Sequence, residues 1–149
     1  MSAEWLVLVE SNTTGSGRLF CVAARALGLR PVLFARNPDR YPYVRLDGVD
    51  SRTVDTLDPD AIRAACTELP GGRIAGVTSS SEYSIAIAAE VARWLGRPHP
   101  DPDAVRTCRN KVEQRIRLRD AGVPGPGFAA ARTADEAVAA AGRIGLPVV

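Results

Sequence analysis

Three short stretches of this chain combine residue types that could hold a polar ligand. The first is Ser11-Asn12-Thr13-Thr14-Gly15-Ser16-Gly17. It places hydroxyls, an amide and two glycines between a run that reads as a strand and a run that reads as a helix. Free backbone N–H groups at a helix start suit an anion, and glycine lets a ligand come close to the backbone. The same residues also make an ordinary tight strand-to-helix turn. Two nucleotide signatures are missing. The third glycine of a dinucleotide fingerprint would fall at Phe20, and there is no Gly-Lys-Ser/Thr of a P-loop. The second stretch is Thr78-Ser79-Ser80-Ser81-Glu82-Tyr83, whose hydroxyls and carboxylate suit a polar ligand or an ammonium group. Plain capping explains it equally well, with Ser81 as N-cap and Glu82 favoured by the helix dipole. The third is Asn110-Lys111, opening a helix. Lysine there opposes the dipole, which favours a role such as a phosphate contact over a solvated surface position. Lys111 is also the only lysine among 19 basic residues.

The elements that must carry these stretches alternate between short apolar runs and longer helical ones. Trp5 to Val9, Pro31 to Ala35 and Ile74 to Thr78 are continuously apolar or nearly so, the pattern of strands covered on both faces. Between them, Leu19 to Leu27 reads as a helix with apolar residues at 19, 20, 22, 23, 26 and 27, closed by Gly28. Asp58 and Pro59 open a helix that runs to about Leu69. Val44 to Thr56 is irregular with a short strand near its end. Further helices are expected from about Glu82 to Leu95, Asp103 to Cys108, Asn110 to Ala121 and Thr133 to Arg143, where Thr133 and Glu136 form a capping box. Phe128 to Ala131 and Leu146 to Val149 read as strands. Strand, helix, strand in repetition predicts an α/β fold, a Rossmann-like parallel sheet with helices on both faces. No internal repeat interrupts it. The expected organisation is one domain over 1–109 and the beginning of a second over 110–149. The second breaks off inside an apolar run and is expected to be truncated, with Phe128 to Val149 packing poorly.

Composition narrows the partners. The chain has 149 residues and a net charge of +2, with 5% aromatic residues. That is too few aromatics for base-stacking platforms, so nucleic acid is not expected. Arg115, Arg117 and Arg119 alternate along a helix and are not expected to share one face. No apolar run approaches the ~20 residues that span a bilayer, and no basic-then-apolar leader opens the chain, so no membrane partner and a cytoplasmic setting are expected. Cys21, Cys66 and Cys108 are widely spaced, which fits three small buried hydrophobes rather than disulfides or zinc ligands.

A resemblance emerges toward the C-terminus. Asn110-Lys111, Arg115, Leu118, then Ala121-Gly122-Val123-Pro124-Gly125-Pro126-Gly127-Phe128, an Ala-rich helix and Ile144-Gly145-Leu146-Pro147-Val148-Val149 resemble the entry to an ATP-grasp domain. There a D/N-K helix leads to GVPxP and, after a further helix, to GxPVVVKP. Gly125 stands where a small hydroxyl residue is more usual. The upstream runs VESNTTGSGRLF, RNPDRYPY, VDTLD and GVTSSSEYSIAIAAEVARWLGRP resemble the pre-ATP-grasp domain of carboxylate–amine ligases that join amino acids.

The resemblance implies ATP and Mg²⁺ as cofactors, small-molecule carboxylate and amine substrates, and an acyl-phosphate intermediate. It implies Lys111 beside the nucleotide and Asn12, Thr13, Thr14, Gly15, Ser16, Gly17, Ser81 and Glu82 on the substrate side. The catalytic residues and Mg²⁺ ligands would lie beyond Val149, so this chain alone would be inactive. Two other readings stay open: a non-enzymatic small-ligand-binding domain, and an ATP-grasp carboxylase of the biotin or purine type. Pairing with a second copy is also left open.

Overall fold

A computed structural model describes residues 4–13 and 15–148. Thr14 and Val149 of the expectations above lie outside the described residues. The chain forms two compact units, Met1–Val105 and Arg106–Val149. In the first unit four strands make one parallel sheet: β1 (Trp5–Val9), β2 (Arg30–Ala35), β3 (Asp50–Thr53) and β4 (Ile74–Thr78), in the order β3-β2-β1-β4. The connecting helices are α1 (Ser16–Ala26), α2 (Pro42–Leu46, after a 3₁₀ turn over Pro38–Arg40), α3 (Pro59–Thr67) and α4 (Ile85–Trp94). A fifth helix, α5 (Pro102–Arg109), spans the junction of the units.

The apolar strands behave as a doubly covered parallel sheet must. Trp5, Val7 and Val9 join Val32, Phe34 and Ile74 in one core, which Ile62 of α3 and Val91 of α4 complete. Leu8 and Leu33 face the other side, against Cys21 of α1 and Tyr41, Tyr43 and Val49. The parallel pairing runs in register from Val7 opposite Val32 to Val9 opposite Phe34. Helix ends follow local chemistry. Asp58 caps α3 by accepting from the Asp60 N–H at 2.9 Å, with Pro59 in the first turn. Asp58→Ala is expected to cost about 1 kcal/mol, read as a lower urea midpoint with an unchanged slope.

Several boundaries depart from the sequence expectation. Helix α1 starts at Ser16 rather than Leu19, and the irregular stretch after Tyr41 holds an unexpected helix, α2, before the expected short strand, which is β3 and ends at Thr53. β3 is a polar edge strand, Asp50-Ser51-Arg52-Thr53, so it lacks the apolar run that reveals the others. Helix α4 starts at Ile85, not near Glu82. Residues 82–84 form a turn closed by Ser84 N–H donating to Ser81 O at 2.9 Å, so Ser81 is not the N-cap. Cys21 and Cys66 are buried but Cys108 is exposed.

The second unit contains α6 (Lys111–Asp120) and α7 (Ala134–Ile144). Thr133 accepts from Glu136 N–H at 3.2 Å, while the Glu136 carboxylate reaches back to Arg132 N–H at 2.7 Å, one residue beyond the usual box. Neither Phe128 to Ala131 nor Leu146 to Val148 is a strand. A strand needs a neighbour to pair with, and the described residues of this unit offer only helices. Between 128 and 148 only Ala140 is buried, which agrees with the expected poor packing. Arg115 and Arg119, one helical turn apart, line the same cleft, so these two do share a face.

Candidate functional site

β1 lies between β2 and β4, so the loops that leave its carboxyl end and that of β4 diverge from neighbouring strands. Open parallel sheets bind ligands at such a switch point. Here the two loops are joined. Ser80 Oγ lies 3.0 Å from Ser11 Oγ and accepts from the Asn12 N–H at 3.2 Å. Asn12 then caps the start of α1: its Oδ1 accepts from the Gly17 N–H at 3.2 Å, and its Nδ2 donates to Ser16 Oγ. Ser79 braces the second loop by accepting from the Ser81 N–H at 3.0 Å.

Glu10 holds the first loop from below. It is the last residue before the loop and adopts a left-handed backbone, φ 53°. That conformation is unusual for a side-chain-bearing residue. Its carboxylate accepts from the Tyr41 hydroxyl at 2.5 Å, the Thr56 hydroxyl at 2.7 Å and the Arg36 N–H at 2.9 Å. Three segments that leave the sheet are thereby tied to one carboxylate. Burial pushes the Glu10 carboxyl up, but the bonds from Tyr41, Arg36 and Thr56 and the Arg36 charge outweigh it, so the pKa lies below its ordinary value. Glu10 is therefore ionised at neutral pH and saturated with donors, which makes it a brace rather than a general base. Tyr41 passes the brace on, because its oxygen also receives the Ser11 N–H at 3.4 Å. Its own pKa is pushed up to about 12 by burial and by Glu10.

Gly17 lets the first turn of α1 sit directly on this floor. A methyl group there would lie 1.7 Å from Ser11 Oγ and 3.0 Å from the Tyr43 hydroxyl. Tyr43 is buried and its hydroxyl has no hydrogen-bond partner. Burial raises its pKa, while the adjacent Ser11 pulls the other way.

Of the residues expected on the substrate side, the structure brings Asn12, Ser16 and Gly17 together. Thr13 is exposed and Gly15 half-buried beside them. In the second loop the bridging residue is Ser80; Ser81 is half-buried and Glu82 exposed. Sequence reasoning did not select Glu10, Tyr41, Tyr43 or Thr56, and within the Thr78 to Tyr83 stretch it singled out Ser81 and Glu82 rather than Ser80. A carboxylate placed directly after a buried strand was the available signal for the first.

In the second unit Lys111 is the first residue of α6. Asn110 caps that helix, its Oδ1 accepting from the Val112 and Glu113 N–H groups at 3.1 and 3.2 Å. Lys111 is exposed. A cleft of about 520 Å³ lies between α6 and the loop that follows it, lined by Arg115, Arg119 and Phe128 among others. Among the described residues no group of His, Cys, Asp and Glu side chains could hold a metal ion. No helix among them is long and apolar enough to cross a membrane.

No protein-family model matches the chain. The uncharacterized protein y4rH of Sinorhizobium fredii is 40% identical over 145 residues, covering 97% of this chain and 30% of that protein. Three solved structures share the fold. The L-amino acid ligase of Bacillus licheniformis matches 87% of the chain with TM-score 0.65 and 22% identity. N5-carboxyaminoimidazole ribonucleotide synthetase of Thermus thermophilus matches 95% at TM-score 0.68 and 22% identity. Phosphoribosylglycinamide synthetase of Anaerococcus prevotii matches 97% at TM-score 0.69 and 17% identity. The chain thus shares its α/β fold, with a four-stranded parallel sheet flanked by helices, with these three structures. The chain spans 33%, 37% and 36% of these three structures, so it corresponds to about a third of each.

Proposed function

We propose that this chain is the N-terminal portion of an ATP-dependent ligase that joins a small carboxylate to an amine. The observation that carries the reading is the hydrogen-bonded pair of loops at the carboxyl edge of β1 and β4. The matching fold and the sequence resemblance around 110–149 support it. In this reading the Ser11–Gly17 loop and Ser80 form the floor for one substrate, and Lys111 meets the nucleotide phosphates. A carboxylate oxygen attacks the γ-phosphorus and ADP leaves, giving an acyl phosphate. The amine nitrogen then attacks the acyl carbon, phosphate leaves and the nitrogen loses a proton. Lys111, an exposed cation at the start of α6, suits one phosphate contact; among the described residues no group of acidic, His or Cys side chains could hold Mg²⁺.

The decisive experiment uses the protein extended through its ATP-grasp region. Substrate carboxylate labelled with ¹⁸O should deliver one labelled oxygen to the released phosphate, with ADP formed only when carboxylate is present. Label-free phosphate would sink the acyl-phosphate mechanism, and ATP binding without turnover would favour a binding module. In the same protein Lys111→Ala is expected to weaken ATP binding about tenfold, close to 1.4 kcal/mol. Lys111→Arg should restore only part, because a planar guanidinium replaces a compact ammonium poorly. Melting curves should be unchanged, since the lysine side chain is exposed. Calorimetric titration of all three proteins is the measurement.

A further inference from the structure

Helix α1 sits with its apolar face outward. It packs on the sheet through Gly17, Cys21 and Ala24, all small. Its larger apolar residues are exposed: Leu19 is 67% accessible, Val22 54%, Phe20 38%, and Leu27 just past the helix end 77%. Ala23 and Ala26 are exposed as well. At 100° per residue these six positions fill an arc of about 160°, which holds one polar residue, Ser16. The arc presents on the order of 500 Å² of mostly apolar surface, near the top of the range seen on monomers. It is also more than half of the ~800 Å² that each partner gives to a standard interface.

We propose that this face is covered by a second copy of the chain, with the two α1 helices antiparallel about a two-fold axis between Val22 and Ala23. The spacing of the residues is self-complementary under that operation. Leu19 and Ala26 are equidistant from the axis and lie on the same line of the helix, so Leu19 of one copy lies over Ala26 of the partner subunit, and the reverse. Large meets small on both sides of the axis. Val22 meets its own counterpart on one flank and Ala23 on the other, while Phe20 runs beside Leu27 of the partner subunit. An isologous contact needs this kind of self-match. Antiparallel helices also set their dipoles favourably. The rim does not oppose the pairing. Arg18 is held by the Asp47 carboxylate at 2.6 and 2.7 Å, and Arg25 donates to the Asp47 and Gly48 carbonyls, all within one chain.

Sedimentation velocity on the 149-residue chain, from low micromolar to about 0.5 mM, tests this. A reversible dimer is expected. Val22→Glu sets two carboxylates side by side at the axis and should raise the dimer Kd at least about 30-fold, because like charges opposed across an interface cost several kcal/mol. Ala26→Leu keeps the face apolar but fills the hollow for Leu19, and should also weaken pairing. Leu57→Glu, at a leucine that is 72% exposed elsewhere, should change nothing. The altered side chains are on the surface, so melting curves taken well below the dimer Kd, where pairing adds no stability, should match wild type and separate lost pairing from lost folding. A chain that stays monomeric throughout overturns the proposal, as does a dimer indifferent to Val22→Glu. Tighter association of Ala26→Leu would mean general stickiness and would overturn the two-fold packing.

Discussion

Replacing Gly17 by alanine lowers the stability of the Met1–Val105 unit by about 3 kcal/mol, the upper part of the range for forced overpacking. The added methyl has no room. It would stand 1.7 Å from Ser11 Oγ and 3.0 Å from both Ser11 Cβ and the Tyr43 hydroxyl. Ser11 cannot yield freely, because its hydroxyl lies 3.0 Å from Ser80 Oγ and donates to Asn12 O. Tyr43 is 95% buried, packed with Leu8, Cys21, Leu33 and Tyr41. The first turn of α1 must therefore lift, or the Ser11–Ser80 bridge must break. At about 4–8 °C per kcal/mol for a domain of this size, the melting temperature should fall by roughly 15 °C. A double-mutant cycle separates the clash from any loss of helix capping. Ser11→Gly removes both the hydroxyl and the Cβ that block the methyl, so Ser11→Gly with Gly17→Ala should be more stable than Gly17→Ala alone. If the two costs simply add, the close approach is not the cause.

The same contact shows what the sequence could and could not reveal. β1, β2 and β4 were legible because burial on both faces demands uninterrupted apolar runs. β3 was legible only as a short strand near the end of an irregular stretch, since an edge strand can be built from Asp50, Ser51, Arg52 and Thr53 without the apolar run that fixes the others. In α1 the apolar period was plain, but a period does not say which face meets the sheet. Gly17, Cys21 and Ala24 face it because helix and sheet approach closely there, and the larger residues are turned to solvent. The two loops were recognisable as loops after strands. Their joining was not, because Ser11 and Ser80 are 69 residues apart in the chain. Three consecutive serines, 79 to 81, are equally plausible caps in sequence, and only the fold assigns Ser80 to the other loop. Glu10 was least visible. Its three donors come from Arg36, Tyr41 and Thr56, separated from it by 26, 31 and 46 residues.

Removing the Glu10 carboxylate should therefore be felt at three places at once. Glu10→Ala leaves the Arg36 N–H, the Tyr41 hydroxyl and the Thr56 hydroxyl without their acceptor. At about 1–3 kcal/mol for each orphaned group that water cannot reach, less where it can, a loss of roughly 3 kcal/mol is expected. Glu10→Gln keeps the shape but turns an acceptor oxygen into a donor facing another donor, and should recover at most about 1 kcal/mol of that. Glu10→Gly supplies an internal check. It relieves the left-handed backbone at φ 53° while losing the same three bonds, so it should be less damaging than Glu10→Ala. The pH dependence distinguishes a charged brace from simple packing. The folded pKa of Glu10 is lower than its ordinary 4.5, so its contribution is complete above that value and is lost as pH falls through the lower, folded one. The stability gap between wild type and Glu10→Gln should be constant near neutrality and shrink below about pH 4.5. Taking the difference removes other acid-sensitive pairs, such as the Asp47 carboxyl held down by Arg18. Urea unfolding of both proteins from pH 7 to pH 3 is the measurement, and a gap that stays level to the acid end would show that the charge of Glu10 does not hold the loop.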